Sequence, residues 1–106
     1  MQRAGEQFLV FQKEGQILGA VTYVCANETL EICRLIVSPL HFRQGIAGRL
    51  LAAVEQVEMA VKRIVVSTAE NNLPAVALYQ KHGYTVAERT VLPDGLALVG
   101  LQKQIG

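Results

Sequence analysis

The chain has almost no excess charge of either sign. Of its 106 residues, 10 are Lys or Arg and 9 are Asp or Glu, for a formal net charge of +1. A protein that grips a nucleic-acid polymer needs a basic excess, so no nucleic-acid partner is expected. Long apolar runs are also missing. The longest nearly unbroken one, Leu18 to Ala26, contains Gly19 and Thr22 and falls well short of the roughly 20 residues a spanning helix needs. No membrane partner is expected either. Near the N-terminus Glu6, Gln7, Gln12 and Lys13 break up the only apolar cluster, which is not the pattern of a secretory leader. Cysteine is limited to Cys25 and Cys33, a poor disulfide framework and a worse metal site. They read as two buried free thiols of a cytoplasmic protein, with no metal. Low-complexity tracts, charge blocks, linkers and internal repeats are absent from the sequence.

What is present is apolar content of 51% against 18% charged residues. That balance excludes a disordered chain, and the length suits one domain over residues 1–106 with a core of its own. Three strand-like runs come first: Gln7 to Gln12, Gln16 to Cys25 and Leu30 to Val37. Glu14-Gly15 and Asn27-Glu28 between them read as tight hairpin turns, giving an antiparallel meander. The period then changes. Ile46, Ala47, Leu50, Leu51, Val54, Val57 and Val61 recur at spacings of three and four, which predicts one helix from Gly45 to Val61. Arg63 to Ser67 is a short, continuously apolar run, as in a strand buried on both faces, so strand, helix and strand form a right-handed parallel crossover.

A second helix follows, with Asn72 as N-cap, Pro74 in its first turn, Lys81 and His82 in its last, and Gly83 ending it. Strands from Tyr84 to Leu92 and from Leu96 to Gln102, joined by the turn Pro93-Asp94-Gly95, complete the chain. The order is β-β-β-α-β-α-β-β, an α/β fold with a sheet of mixed direction.

The stretch Val37 to Leu51 carries the chemistry. Pro39 ends a strand, and a helix opens on Gly45, Ala47 and Gly48 with Arg43 and Arg49 at its flanks. Helix starts leave four N–H groups unpaired and favour acids in the first turn. Here the first acid after the turn is Glu55. A helix start left positive, built of small residues and flanked by arginines, fits a phosphate or pyrophosphate. The same glycines would equally serve close packing alone. Neither G-x-x-x-x-G-K-[ST] nor G-x-G-x-x-G occurs here, so a P-loop nucleotidase and a dinucleotide fold lack their fingerprints.

In this setting the residues resemble the GNAT superfamily of acyl-CoA-dependent N-acetyltransferases. That family's cofactor loop follows a V-x-P-like step, reads R/Q-x-x-G-x-G/A and opens a long helix. Val37, Pro39, Gly45, Ala47 and Leu50-Leu51 match, while Phe42 takes the place of the Arg or Gln and Arg43 follows it. Asn72 to Tyr84 resembles the family's N-x-x-A-x-x-L-Y-x-K-x-G-F/Y, one strand after the first motif. The resemblance covers residues 6 to 102 and implies acetyl-CoA as cosubstrate, lying in a wedge between two splayed parallel strands. The pyrophosphate would rest on Arg43, Gln44, Gly45, Ile46, Ala47, Gly48 and Arg49. The pantetheine arm would meet Leu35, Ile36 and Val37, with Asn72 and Ala75 at the second helix, and Tyr79 would protonate the departing thiolate.

The reaction implied is attack of a neutral amine on a thioester. An alkylamine of pKa about 10 must first lose a proton. Glu31, on the strand into the loop, and Glu70, before the second helix, are the candidate bases; each also reads as a solvated surface acid. The family usually has a further strand and helix pair before the meander, so the domain looks truncated on its N-terminal side. Either the acceptor site is open or another subunit completes it, a homodimer through edge strands being the simple arrangement. The competing readings are a non-catalytic acyl-CoA-binding or dimerisation module, an inactive fragment, and a helix-turn-helix DNA binder, against which the neutral charge argues.

Overall fold

The computed structural model describes residues 5–41, 45–57 and 60–105. Six strands form one sheet: β1 (Gln7–Lys13), β2 (Gln16–Ala26), β3 (Thr29–Val37), β4 (Arg63–Ala69), β5 (Thr85–Val91) and β6 (Ala97–Gln104), in the spatial order β1-β2-β3-β4-β6-β5. Helix α1 (Ile46–Val54) joins β3 to β4, and α2 (Leu73–Lys81) joins β4 to β5. The mixed α/β sheet is the one expected, with a single parallel pair, β3 and β4, among antiparallel neighbours. No helix among the described residues is long and apolar enough to cross a membrane.

The turns set the register. Lys13 pairs with Gln16 across Glu14-Gly15, and Ala26 pairs with Thr29 across Asn27-Glu28. Glu14 and Gly15 both take positive φ, 52° and 80°, the twist a two-residue hairpin turn requires. The register brings Leu9 and Val21 to the same face as Leu35, and Tyr23 to that of Ile32. α1 covers this face with Ile46, Leu50, Leu51 and Val54, all buried, packing across β1, β2 and β3. Gly19 is what lets it lie so close. A Cβ there would come within 2.9 Å of Ile46 Cγ2, 3.0 Å of the Ile36 carbonyl oxygen and 3.2 Å of Leu50 Cδ1. Gly19→Ala is therefore expected to cost about 1–3 kcal/mol in chemical denaturation; an unchanged midpoint would mean that α1 lifts freely.

α1 is shorter than the apolar spacing predicts. It ends at Val54 with Glu55 as C-cap, and Gln56 and Val57 donate to the carbonyls of Ala53 and Val54, three residues back. Val61 is still buried, at 4% exposure, and Val57 packs on the core. The chain has by then left the helix to start β4, where the Lys62 and Arg63 amides donate to the Glu28 carbonyl. The period reported which residues are buried, and the helix accounts for only the first part of it.

Beyond β4 the N-cap at Asn72 forms as expected: its Oδ1 accepts the Ala75 N–H at 3.4 Å. Tyr79 is the buried residue of α2. Gly83 takes φ 94° after the C-cap His82, and the Tyr84 N–H returns to the Tyr79 carbonyl at 3.0 Å. The two helices meet at Gly48, where a Cβ would stand 2.8 Å from His82 Cε1. Both helices thus lie on one side of the sheet. Cys25 and Cys33 form no disulfide, as expected, but both are half-buried rather than buried.

Candidate functional site

Two features converge where β3 ends. The first is a parting of strands. β3 and β4 pair from Thr29–Arg63 to Ile32–Val66 and no further. β3 nevertheless runs on to Val37 and β4 to Ala69. Past this point, among the described residues, β3 pairs only with β2, through Leu35–Val21, Ile36–Ala20 and Val37–Gly19. β4 pairs only with β6, through Ser67–Gly100, Thr68–Val99 and Ala69–Leu98. A wedge opens whose two walls are strand edges with unused peptide groups, suited to an extended amide-bearing chain.

The cause of the parting is in β3 itself. Thr22 pairs with Arg34 and Tyr23 with Ile32, so Cys33 is an extra residue in the ladder. Such a bulge bends its strand and raises its twist, and it lies one residue past the last β3–β4 pair. The inward apolar positions change phase across it, from Leu30 and Ile32 to Leu35 and Val37. That phase change is a signal in the sequence that alternation alone overlooks. The Thr22 hydroxyl, opposite the bulge, is buried with no hydrogen-bond partner among the described residues.

The second feature is the start of α1. Gly45 is its N-cap in the left-handed region, φ 76°, with no side-chain cap. The first intrahelical bond is Arg49 N–H to Gly45 C=O, 3.0 Å. The amides of Ile46, Ala47 and Gly48 therefore have no partner within the helix. The first turn contains no acid, and among the described residues nothing lies within 4 Å of a Cβ built at Gly45. These properties fit an anion held by backbone amides and the helix dipole. Arg43 and Gln44, with Phe42, lie outside the described residues.

α2 begins just after the parted half of β4, with the Asn72 amide bonded to the Ala69 carbonyl. Because capping uses Asn72 Oδ1, its NH2 remains a donor. Ala75 is half-buried one turn into the helix. The ring of Tyr79 meets Tyr84 edge-on, centroids 5.6 Å apart at 62°. Burial raises the Tyr79 phenol above its ordinary pKa of 10.0, since a buried phenolate is poorly solvated. Tyr84 is pushed higher still, by burial first and then by the charges of Glu55 and Tyr79 nearby.

The two candidate bases have different surroundings. Glu70 is clamped by Arg89, whose Nη2 donates to Oε1 at 3.1 Å, and this hydrogen bonding holds its carboxyl below the ordinary carboxylate pKa. That lowers its strength as a base. Glu31 is half-buried on β3, paired with Val24 and Val65, on the face opposite Leu30 and Ile32 and one residue before the parting. The arrangement thus brings a helix start, an open strand pair, a capped asparagine and a buried phenol into consecutive elements, and takes Glu70 into an ion pair.

Comparison with known proteins agrees with this geometry. A family model described as "Acetyltransferase (GNAT) domain" matches residues 4–86. The chain is 40% identical over 98 residues to the UPF0157 protein YqkA of Bacillus subtilis (strain 168), which covers 92% of the chain but only 29% of that protein's length. Among solved structures, a GNAT family acetyltransferase from Elizabethkingia anophelis with acetyl-CoA bound superimposes with a TM-score of 0.81 at 19% identity, covering 95% of this chain and 77% of that one. An aminoglycoside 6'-N-acetyltransferase complexed with coenzyme A gives a TM-score of 0.84 at 14% identity, over 96% and 74% of the two chains. With two motifs in order, a wedge at the predicted strand pair and a matching family model, the chain belongs to the GNAT acetyltransferase family.

Proposed function

We propose that the protein moves an acetyl group from acetyl-CoA to a primary amine by direct attack, the acceptor being a small molecule or a peptide. The observation that supports this best is the β3–β4 ladder ending at Ile32–Val66 beside a helix start whose amides carry no acid and no cap. In this reading the pyrophosphate lies on the amides of Ile46, Ala47 and Gly48. The pantetheine arm continues into the wedge along Leu35 to Val37, with the Asn72 NH2 as a donor to it. The thioester then reaches the bulge at Cys33.

The amine nitrogen attacks the thioester carbonyl, loses a proton to a base and forms the amide bond as the C–S bond breaks. Glu31, through water, is the better placed base, because Arg89 engages Glu70. Tyr79 gives its proton to the leaving sulfur. A thiolate whose thiol has a pKa of about 8.5 is a weaker base than a phenolate, so the phenolate left at Tyr79 must take a proton back from water to complete the step. Most of the acceleration comes from holding amine and thioester together.

The test is thermal unfolding with acetyl-CoA, followed by an amine panel. A saturating ligand should stabilise the protein by about 2.7 kcal/mol at a hundred times its Kd. Acetylated product should then be read by mass, since thiol reagents would also label Cys25 and Cys33. No thermal shift would overturn the reading. A shift without product from any amine would leave a module that holds acyl-CoA without turnover.

A further inference from the structure

An acceptor must reach the wedge from the face of the sheet that the helices leave open. On the other face Leu30, Ile32, Ile64 and Val66 are buried in the core with residues of α1 and with Tyr79 of α2. Side chains alternate along a strand, so the open face carries the residues between these. On β4 it carries Ser67, the first residue past the last β3–β4 pair, and Ser67 is exposed. Ser67 pairs with Gly100 of β6, and Gly100 pairs with Glu88 of β5. Directly paired residues share a face, so Glu88, Gly100 and Ser67 form a row across the open face that ends at the wedge. Gly100 leaves a gap in that row, and Glu88 fills it. A Cβ built at Gly100 would stand 2.9 Å from Glu88 Cγ and 3.1 Å from its Oε1. The Glu88 side chain therefore lies back over β6, in the direction of β4, rather than out from the sheet edge.

The Glu88 carboxylate has no cationic partner among the described residues. Its neighbour Arg89 pairs with Val99 on the helix face and is engaged with Glu70. The arginines of the open face lie elsewhere. Arg63 is at the far end of β4, bonded to Thr29 at 3.3 Å, and Arg34 stands across the wedge on β3, paired with Thr22. A second ammonium on the acceptor would keep its charge at neutral pH, since its pKa is about 10, and Glu88 offers it a charge-assisted hydrogen bond. Arg34 repels the same group, so the cationic end has one favourable direction, away from β3. Strands lie about 4.8 Å apart, and the carboxylate sits over β6 with β4 between it and the wedge. The two nitrogens would thus be roughly 5–7 Å apart, about the span of a four-carbon diamine. We infer that the acceptor is a diamine or polyamine, with one ammonium held by Glu88 while its neutral amine meets the thioester in the wedge. The inference rests on the acetyltransferase reading and deepens it by naming the substrate class. It gives Glu88, a residue outside both family motifs, a role in specificity.

The experiment compares kcat/KM for diaminobutane, with an amine at each end, and for butylamine, read as acetylated product by mass. It is run on the wild type, Glu88→Gln, Glu88→Lys and Gly100→Ala. Glu88 is exposed on the edge strand β5, and the nearest atoms to a methyl at Gly100 belong to Glu88. All three variants should therefore keep the wild-type circular dichroism and the wild-type thermal shift with acetyl-CoA. After allowing for its two equivalent amines, the diamine should be favoured by the wild type about fivefold, through KM rather than kcat, as for an exposed ion pair at the strong end of its range. Glu88→Gln should bring that ratio close to one by raising the diamine's KM alone, and Glu88→Lys should push it below one. Gly100→Ala keeps the charge but displaces it, and should lower the ratio part of the way. No preference in the wild type, a preference unaltered in the Glu88 variants, or acetylation of neither amine despite a thermal shift with acetyl-CoA would overturn the inference while leaving the acetyltransferase reading intact. No thermal shift would overturn both.

Discussion

Gly45→Glu should abolish acetyl-CoA binding, raising its Kd by 100-fold or more, while the protein remains folded. The reasoning starts from the helix. An acid in the first turn of a helix normally stabilises it by about 0.3–1 kcal/mol, because it sits against the positive end of the dipole. The new carboxylate would find that position beside the amides of Ile46, Ala47 and Gly48, which have no partner within the helix. It would thus satisfy the helix and displace the cosubstrate's phosphates. Like charges 4 Å apart repel by about 4 kcal/mol at an effective dielectric of 20, which exceeds what a 100-fold loss requires. Backbone strain acts separately. Gly45 has φ 76°, and a residue with a Cβ pays about 1–2 kcal/mol there. Gly45→Ala isolates that contribution: it should lower stability by a similar amount and weaken binding only slightly, since a Cβ at this position meets no atom of the described residues within 4 Å. Calorimetric titration of both variants decides the matter. Equal losses in the two would assign the effect to strain, and an unchanged Kd in Gly45→Glu would remove this helix start from the binding site.

Much of the fold was legible because its punctuation is local. Glu14-Gly15, Asn27-Glu28 and Pro93-Asp94-Gly95 each sit between apolar runs, and each marks a turn in the structure. The Asn72 cap and Gly83 likewise act within a few residues of themselves. What the sequence concealed depends on partners distant along the chain. Glu70 reads as a free acid near the site until β5 brings Arg89 to it. Val57 and Val61 extended the apparent helix because burial, and not helical geometry, placed them on the apolar face. The bulge at Cys33 is an intermediate case. Its trace is the change of phase between Ile32 and Leu35, yet only the paired register shows that β3 leaves β4 there.

Tyr79→Phe should lower turnover by roughly 100-fold, the lower end of what a positioned proton donor contributes, with the Kd for acetyl-CoA nearly unchanged. Tyr79 is 6% exposed, so the ring fills core space that phenylalanine would fill as well, and stability should change little. The pH dependence supplies a second readout. The donor works in its protonated form, and burial holds its pKa above 10.0. Turnover that depends on this proton should therefore persist through the neutral and mildly alkaline range and fall only as pH rises past 10.0. In Tyr79→Phe that alkaline limb should be missing, whatever limb belongs to the base. Tyr84→Phe is the matched control. The Tyr84 hydroxyl is buried with no hydrogen-bond partner among the described residues, and removing such a group is neutral or stabilising. The two rings touch edge to face, so any loss caused by disturbed packing would appear in both variants. If Tyr84→Phe loses as much turnover as Tyr79→Phe, or if Tyr79→Phe retains the wild-type rate and alkaline limb, the proton must reach the leaving sulfur from water or from another residue.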